Sequence, residues 1–153
     1  IFYVLTMEIC NSILSNYDFS EELDSISLSY EERFMRRRKL VSDKGHEFLV
    51  DLEEMKSVLS NQAFKLESGK LITIKSKKEN LIEIKSESLN KLIWHIGNRH
   101  IPCQIEATRI LIQSDHIIED MVKRLGGQTK SVVEQFNPEG GAYGMGRTHG
   151  HKH

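Results

Sequence analysis

The stretch NLIEIKSESLNKLIWHIGNRHIPCQIEATRILIQSDHIIEDMVKRLGGQTKSVVEQF, residues 80–136, decides the fold. NLIEIKS (80–86) alternates apolar and polar residues, the pattern of a strand. SLNKLIWHIGNRH (88–100) puts apolar residues at 89, 92, 93 and 96, which is helical spacing, and Ser86 or Ser88 can cap its start. CQIEA (103–107) and RILIQS (109–114) read as two strands joined by a minimal turn at Thr108. DHIIEDMVKRLGG (115–127) is a second helix, apolar at 117, 118, 121, 122 and 125. Asp115 suits its start, Lys123 and Arg124 its end, and Gly126-Gly127 stop it. KSVVEQF (130–136) supplies a last strand. The order β-α-β-β-α-β is the ferredoxin-like arrangement.

Upstream the pattern is β. Short apolar or alternating runs occur at 7–14, 25–30, 38–42, 47–52, 62–67 and 70–76, separated by the turn-prone pieces NYDFS, SDKGH and ESGK. Such spacing suggests a small sandwich or barrel-like domain. The expected class is therefore α+β: an N-terminal all-β domain (1–76), a ferredoxin-like domain (77–136) and a Gly- and His-rich flexible tail (137–153). EERFMRRRKL (31–40) is the one dense basic patch, expected as a solvated strand edge or short helix, with a protein-docking surface as the functional alternative.

Composition narrows the function classes. The chain has 153 residues, 39% hydrophobic and 28% charged, with a formal net charge of −1. A packed core is feasible, and no global field favours nucleic acid or an anionic membrane. The apolar opening IFYVLT (1–6) is too short to span a bilayer and lacks a basic leader, so a cytoplasmic protein is expected. Two cysteines, Cys10 and Cys103, make neither a disulfide framework nor a four-cysteine zinc site. There is no G-x-x-x-x-G-K-[ST] loop, no H-E-x-x-H and no G-x-S-x-G, so catalysis is not expected.

What remains is imidazole chemistry. Imidazole suits Zn, Cu and Ni. His100, if the first helix persists that far, shares a face with 89, 93 and 96, and it is either a helix-capping residue or a ligand. Cys103 follows it at a plausible ligand spacing but also opens a short buried strand, where free cysteine is common, and His95 and His116 read as ordinary surface or capping residues. The tail ends in H-x-H-x-H, namely His149, His151 and His153, which is compositional evidence for metal binding. No cluster completes a closed cage in one chain, but a twofold axis at the helix end would bring His100 and its mate together, with tail histidines completing the set. Trp94 and Ile101 give the first helix a second apolar side, and Gly97 costs it about 1 kcal/mol relative to Ala, which a close helix approach across that axis would explain. The rival class is a ferredoxin-like module that binds a protein or RNA and carries incidental histidines.

WHIGNRH (94–100), DHIIEDM (115–121), FNPEGGAYG (136–144), the terminal HGHKH and RRRKLVSDKGHEFLVDL (36–52) together resemble UreE-type urease accessory proteins over nearly the whole chain. The resemblance implies a homodimeric nickel metallochaperone, with an N-terminal domain of the type called peptide-binding and a ferredoxin-like metal-binding domain. It places the bridging ligand at His100 and, loosely, the tail ligands at His149, His151 and His153. It implies Ni2+ as cargo, with Zn2+ or Cu2+ competing, and a complex of apo-urease with its accessory GTPase as partner. Some relatives carry H-x-H at the start of the second helix, whereas Ser114-Asp115-His116 stands here, so a site at His116 is not expected.

Overall fold

The computed structural model describes residues 7–16 and 24–140. The chain divides between Ser76 and Lys77 into two compact units. Among the described residues both helices lie in the second, so the fold is mixed α+β and dominated by sheet. Among the described residues no helix is long and apolar enough to cross a membrane.

Among its described residues the first unit holds six strands: β1 (Glu8–Ser15), β2 (Asp24–Leu28), β3 (Phe34–Val41), β4 (Glu47–Ser57), β5 (Gln62–Leu66) and β6 (Leu71–Ser76). They form one sheet in the order β2-β6-β5-β1-β4-β3. β1 pairs with β4 and β2 with β6 in parallel, and the other neighbours are antiparallel. Cys10, Phe48, Val50, Phe64, Leu66, Ile72 and Ile74 form the centre of its core, with the Phe48 and Phe64 rings 5.5 Å apart. The basic patch is only partly the solvated edge expected of it. Arg36, Arg37, Arg38 and Lys39 are exposed on the edge strand β3, where charge discourages pairing with another sheet. Arg33 is buried, donates to the Leu28 carbonyl and the Ser76 hydroxyl, and lies over the Tyr30 ring. A guanidinium this deep needs such partners.

The second unit runs β7 (Lys78–Lys85), α1 (Leu89–Asn98), β8 (Cys103–Ile105), β9 (Ile110–Gln113), α2 (His116–Arg124) and β10 (Gln128–Gln135). Its sheet order is β10-β7-β9-β8, antiparallel throughout. Ile82, Ile84, Ile110 and Ile112 from the sheet meet Leu92 and Ile96 of α1 and Ile118 and Val122 of α2 in one core. The opposite face follows from register. Val132 pairs with Leu81, Leu111 with Glu83 and Gln104 with Leu111, so these side chains point away from the helices. On that face Arg109 holds the Glu134 carboxylate with both oxygens at 2.8 Å, and also reaches Glu83 and Glu106 at 2.9 and 3.1 Å. The Arg109 hydrogen bonds keep the Glu134 carboxyl below the usual carboxylate range.

The helix ends follow local chemistry. Ser88 occupies the N-cap of α1 without a side-chain bond; instead its amide donates to the Ser86 hydroxyl. The Asp115 carboxylate caps α2 by accepting from the Ile117 and Ile118 amides. Past α2, Gly126 takes φ +85°, and Gly127 is needed for space: a Cβ there would lie 2.5 Å from a Val122 methyl.

Candidate metal centre

The helix carrying His95 does not extend to His100. α1 ends at Asn98 with Arg99 as its C-cap, because the next residue turns into the left-handed region at φ +57°. The His100 amide donates to the Gly97 carbonyl at 3.0 Å and the Ile101 amide to the Ile96 carbonyl at 3.4 Å. These two bonds are the Schellman pattern, in which the left-handed position is usually glycine. Ile101, expected on an outer apolar side of α1, instead follows the turn and packs against the core beside Ile96. His100 is exposed. An L-residue pays roughly 1–2 kcal/mol to sit there, although histidine tolerates it better than most. The chain thus keeps an imidazole at the point where glycine would relieve the backbone.

The other expected residues fall nearby but apart. Trp94 is 64% exposed and lies edge-on to the His95 ring, at 5.1 Å between centroids. Gly97 is exposed, and among the described residues no atom lies within 4 Å of an added Cβ. His95 and His116, on different helices, line one groove of about 560 Å³ with Arg99, Ile117, Met121 and Arg124. Cys103 opens β8 and is half-buried. Burial, and secondarily the Glu139 carboxylate, push its thiol upward, which disfavours the thiolate a metal would need. His46, the one histidine of the first unit, is 2.8 Å from the Glu8 carboxylate. His149, His151 and His153 lie outside the described residues. Among the described residues no three His, Cys, Asp or Glu side chains gather to hold an ion.

Residues 137–140, assigned by sequence to the tail, are tied down. Phe136 is fully buried after β10. The Asn137 amide donates to the Gln104 side-chain carbonyl at 2.8 Å, and the Glu139 amide to the Cys103 carbonyl at 2.9 Å. The Gln104 amide group in turn donates to Glu106, one of the carboxylates around Arg109. No apolar periodicity marks this segment, so its attachment was not visible in the sequence.

Chemically, the described part of this region offers one exposed imidazole on a hydrogen-bonded turn and two more in an adjoining groove. That is a partial ligand set without a nucleophile–base pair. Comparison with known proteins adds the lineage. The family described as "UreE urease accessory protein, C-terminal domain" matches residues 79–153. The urease accessory protein UreE of Ruegeria pomeroyi is 49% identical over 144 residues, covering 94% of this chain and 97% of that protein. The protein of the same name from Rhodobacter capsulatus is 45% identical over 147 residues, covering 96% and 94%. That of Paracoccus denitrificans is 44% identical over 123 residues, covering 80% and 79%. At this identity over nearly full length, the chain belongs to the UreE family of urease accessory proteins.

Proposed function

We propose that this protein is a nickel metallochaperone, which binds Ni2+ and passes it into a complex of apo-urease with its accessory GTPase in the cytoplasm. The observation that carries the reading is His100: an exposed imidazole held at φ +57° where the fold itself would favour glycine. Family membership supplies the urease context. The protein transfers cargo and performs no catalysis.

The second unit, with its β-α-β-β-α-β order and strand order β10-β7-β9-β8, is read as a ferredoxin-like metal-binding domain (77–136), and the first (1–76) as the peptide-binding type. Two chains meet through the second domain. Exposed Trp94 and the unobstructed Gly97 on α1 support this, since among the described residues nothing covers either. Across the twofold axis each chain contributes His100, and His149, His151 and His153 complete the ligand set. All donors are imidazoles, so Cu2+ and Zn2+ compete, and selectivity comes from geometry and partners. The site is open and exchanges its ion readily, as delivery requires.

The test is a calorimetric nickel titration of the intact protein, with stoichiometry counted per dimer. One tight nickel per dimer that disappears in His100→Ala supports the proposal. No nickel binding by the unaltered dimer refutes it and favours a general interaction module.

A further inference from the structure

We propose that the outer edge of β3 is a docking surface for an extended acidic segment of another protein, which adds to the six-stranded sheet as a further strand; the inference rests on the reading of the first unit as peptide-binding and is independent of the nickel site. Among the described residues the sheet has two outer strands, β2 and β3. β2 is five residues long and contains no cation. β3 is eight residues long, about 27 Å of strand, and carries Arg36-Arg37-Arg38-Lys39 in succession, all exposed. The chain as a whole is near neutral, at −1, so this run is a local field and not part of a general basic character.

The fold leaves most of this charge uncompensated. Arg36 Nε donates to the Glu53 carbonyl at 3.4 Å, and Arg38 donates to the Glu32 carbonyl at 3.0 Å. A carbonyl takes a hydrogen bond but supplies no countercharge. Arg37 stands opposite Asp51 in the register, yet among the described residues it makes no ion pair. Lys39 alone of the four has a carboxylate, Glu47 at 3.5 Å, and both side chains are more than half exposed, where such a pair is worth little. Register then says what sequence fits. Arg37 and Lys39 lie on one face of β3, with Arg38 and Leu40 on the other, where Leu40 is buried opposite Phe48 at the margin of the core. An added strand therefore carries acidic residues at alternate positions beside Arg37 and Lys39, and apolar residues between them that extend the core past Leu40. Opposite charges paired across strands stabilise, and like charges directly opposite destabilise. A second copy of this chain is excluded on that ground, since β3 against β3 sets cations against cations. The charge that discourages an apolar sheet edge selects an acidic one. Backbone hydrogen bonds supply the affinity, and the alternating side chains supply the choice.

The experiment uses the full chain and a fluorescent peptide as long as β3, made of alternating Glu and Val and capped at both ends, with binding read by anisotropy. The peptide is expected to bind, and to bind roughly fivefold or more weakly when Lys replaces its Glu, when its Glu and Val are segregated into two blocks, or when its central residues are N-methylated. N-methylation keeps the charge and removes the strand pairing. Arg37→Glu combined with Lys39→Glu should weaken the Glu–Val peptide about tenfold and tighten the Lys–Val peptide about as much. A chain that had merely lost its structure would gain no new ligand. Equal binding of the alternating, block and N-methylated peptides, or a charge-reversed variant with unchanged preference, overturns the added strand. Binding of a single-stranded oligouridylate in place of the peptide makes the edge a nucleic-acid surface and overturns it too. A parent chain that binds a neutral Thr–Val peptide as tightly as the Glu–Val peptide keeps the peptide-binding reading and loses this inference alone. A chain that binds no peptide overturns both.

Discussion

His100→Gly should yield a protein that is at once more stable and unable to hold its tightest nickel. The side chain is exposed, and its backbone sits at φ +57° inside a Schellman turn. Relieving an L-residue there returns about 1–1.5 kcal/mol, at the tolerant end for histidine. Glycine gives back about 0.5 kcal/mol of that through its freer unfolded chain. From the backbone alone the net is a stabilisation of about 0.5–1 kcal/mol, or a Tm rise of roughly 2–8 °C for a domain of this size. His100→Ala keeps the strain and loses the imidazole, so it should be neutral to about 0.5 kcal/mol destabilised. Both variants should lose at least tenfold in nickel affinity, since in the proposed dimer one substitution would remove a ligand from each chain. Chemical denaturation and calorimetric titration on the three proteins read both quantities. If His100→Gly is destabilised, the imidazole makes a structural contact that outweighs the backbone strain, and the geometric argument fails. If both variants bind nickel as tightly as the parent, His100 is not the bridging ligand.

Further outcomes follow from the second unit. Gly127→Ala should destabilise by about 1–3 kcal/mol, because its Cβ would meet Val122 at 2.5 Å, whereas Gly97→Ala should stabilise the monomer by about 1 kcal/mol and, if α1 approaches its mate there, weaken the dimer in sedimentation. Asp115→Ala should cost about 1 kcal/mol by freeing the Ile117 and Ile118 amides, read by urea denaturation. Glu134 is held below its ordinary value by Arg109, so its contribution is present above about pH 4.3 and is lost as pH falls through the folded value. Arg109→Ala should therefore flatten the acid limb of stability, measured as denaturation midpoint from pH 6 to pH 3. Because an imidazole must be neutral to bind a metal, nickel affinity should fall as the medium is made more acidic, in titrations at stepped pH.

Element types were legible because the two periodicities differ. The alternation in NLIEIKS and the 89-92-93-96 spacing gave β7 and α1, and the Asp115 cap fixed the start of α2 within a residue. The end of α1 was not legible. The periodic signal has no term for a left-handed turn when histidine, not glycine, occupies it; the Ile101 contact with the core, which is tertiary, decides the matter. The run 137–140 looked like free tail for a similar reason. Its attachments are backbone amides reaching Gln104 and Cys103, and backbone bonds leave no compositional trace. In the first unit six strands were visible, although β3 begins at Phe34 where the reading began at 38 and β4 runs on to Ser57 where it stopped at 52; their neighbours were not visible. Nothing local pairs Cys10 with Val50 on one side and Leu66 on the other. At the centre, the histidines could be listed but not assembled: the groove that joins His95 and His116 depends on how two helices lie over one sheet.

That placement of β1 has a consequence for synthesis. The strand is made early, yet it lies inside the sheet between β4 and β5, and β2, the next made, waits for β6 at the far edge. As the chain leaves the ribosome, β1 and β2 emerge with both hydrogen-bonding edges bare. They cannot be enclosed until the chain has been made as far as Ser76. The second unit closes differently. β8 and β9 are a hairpin that forms as soon as it appears, and β10 needs only β7. Translation pauses before Ser76 has emerged should therefore expose Ile9, Ile13 and Ile26 to holding chaperones, while pauses after its emergence should not.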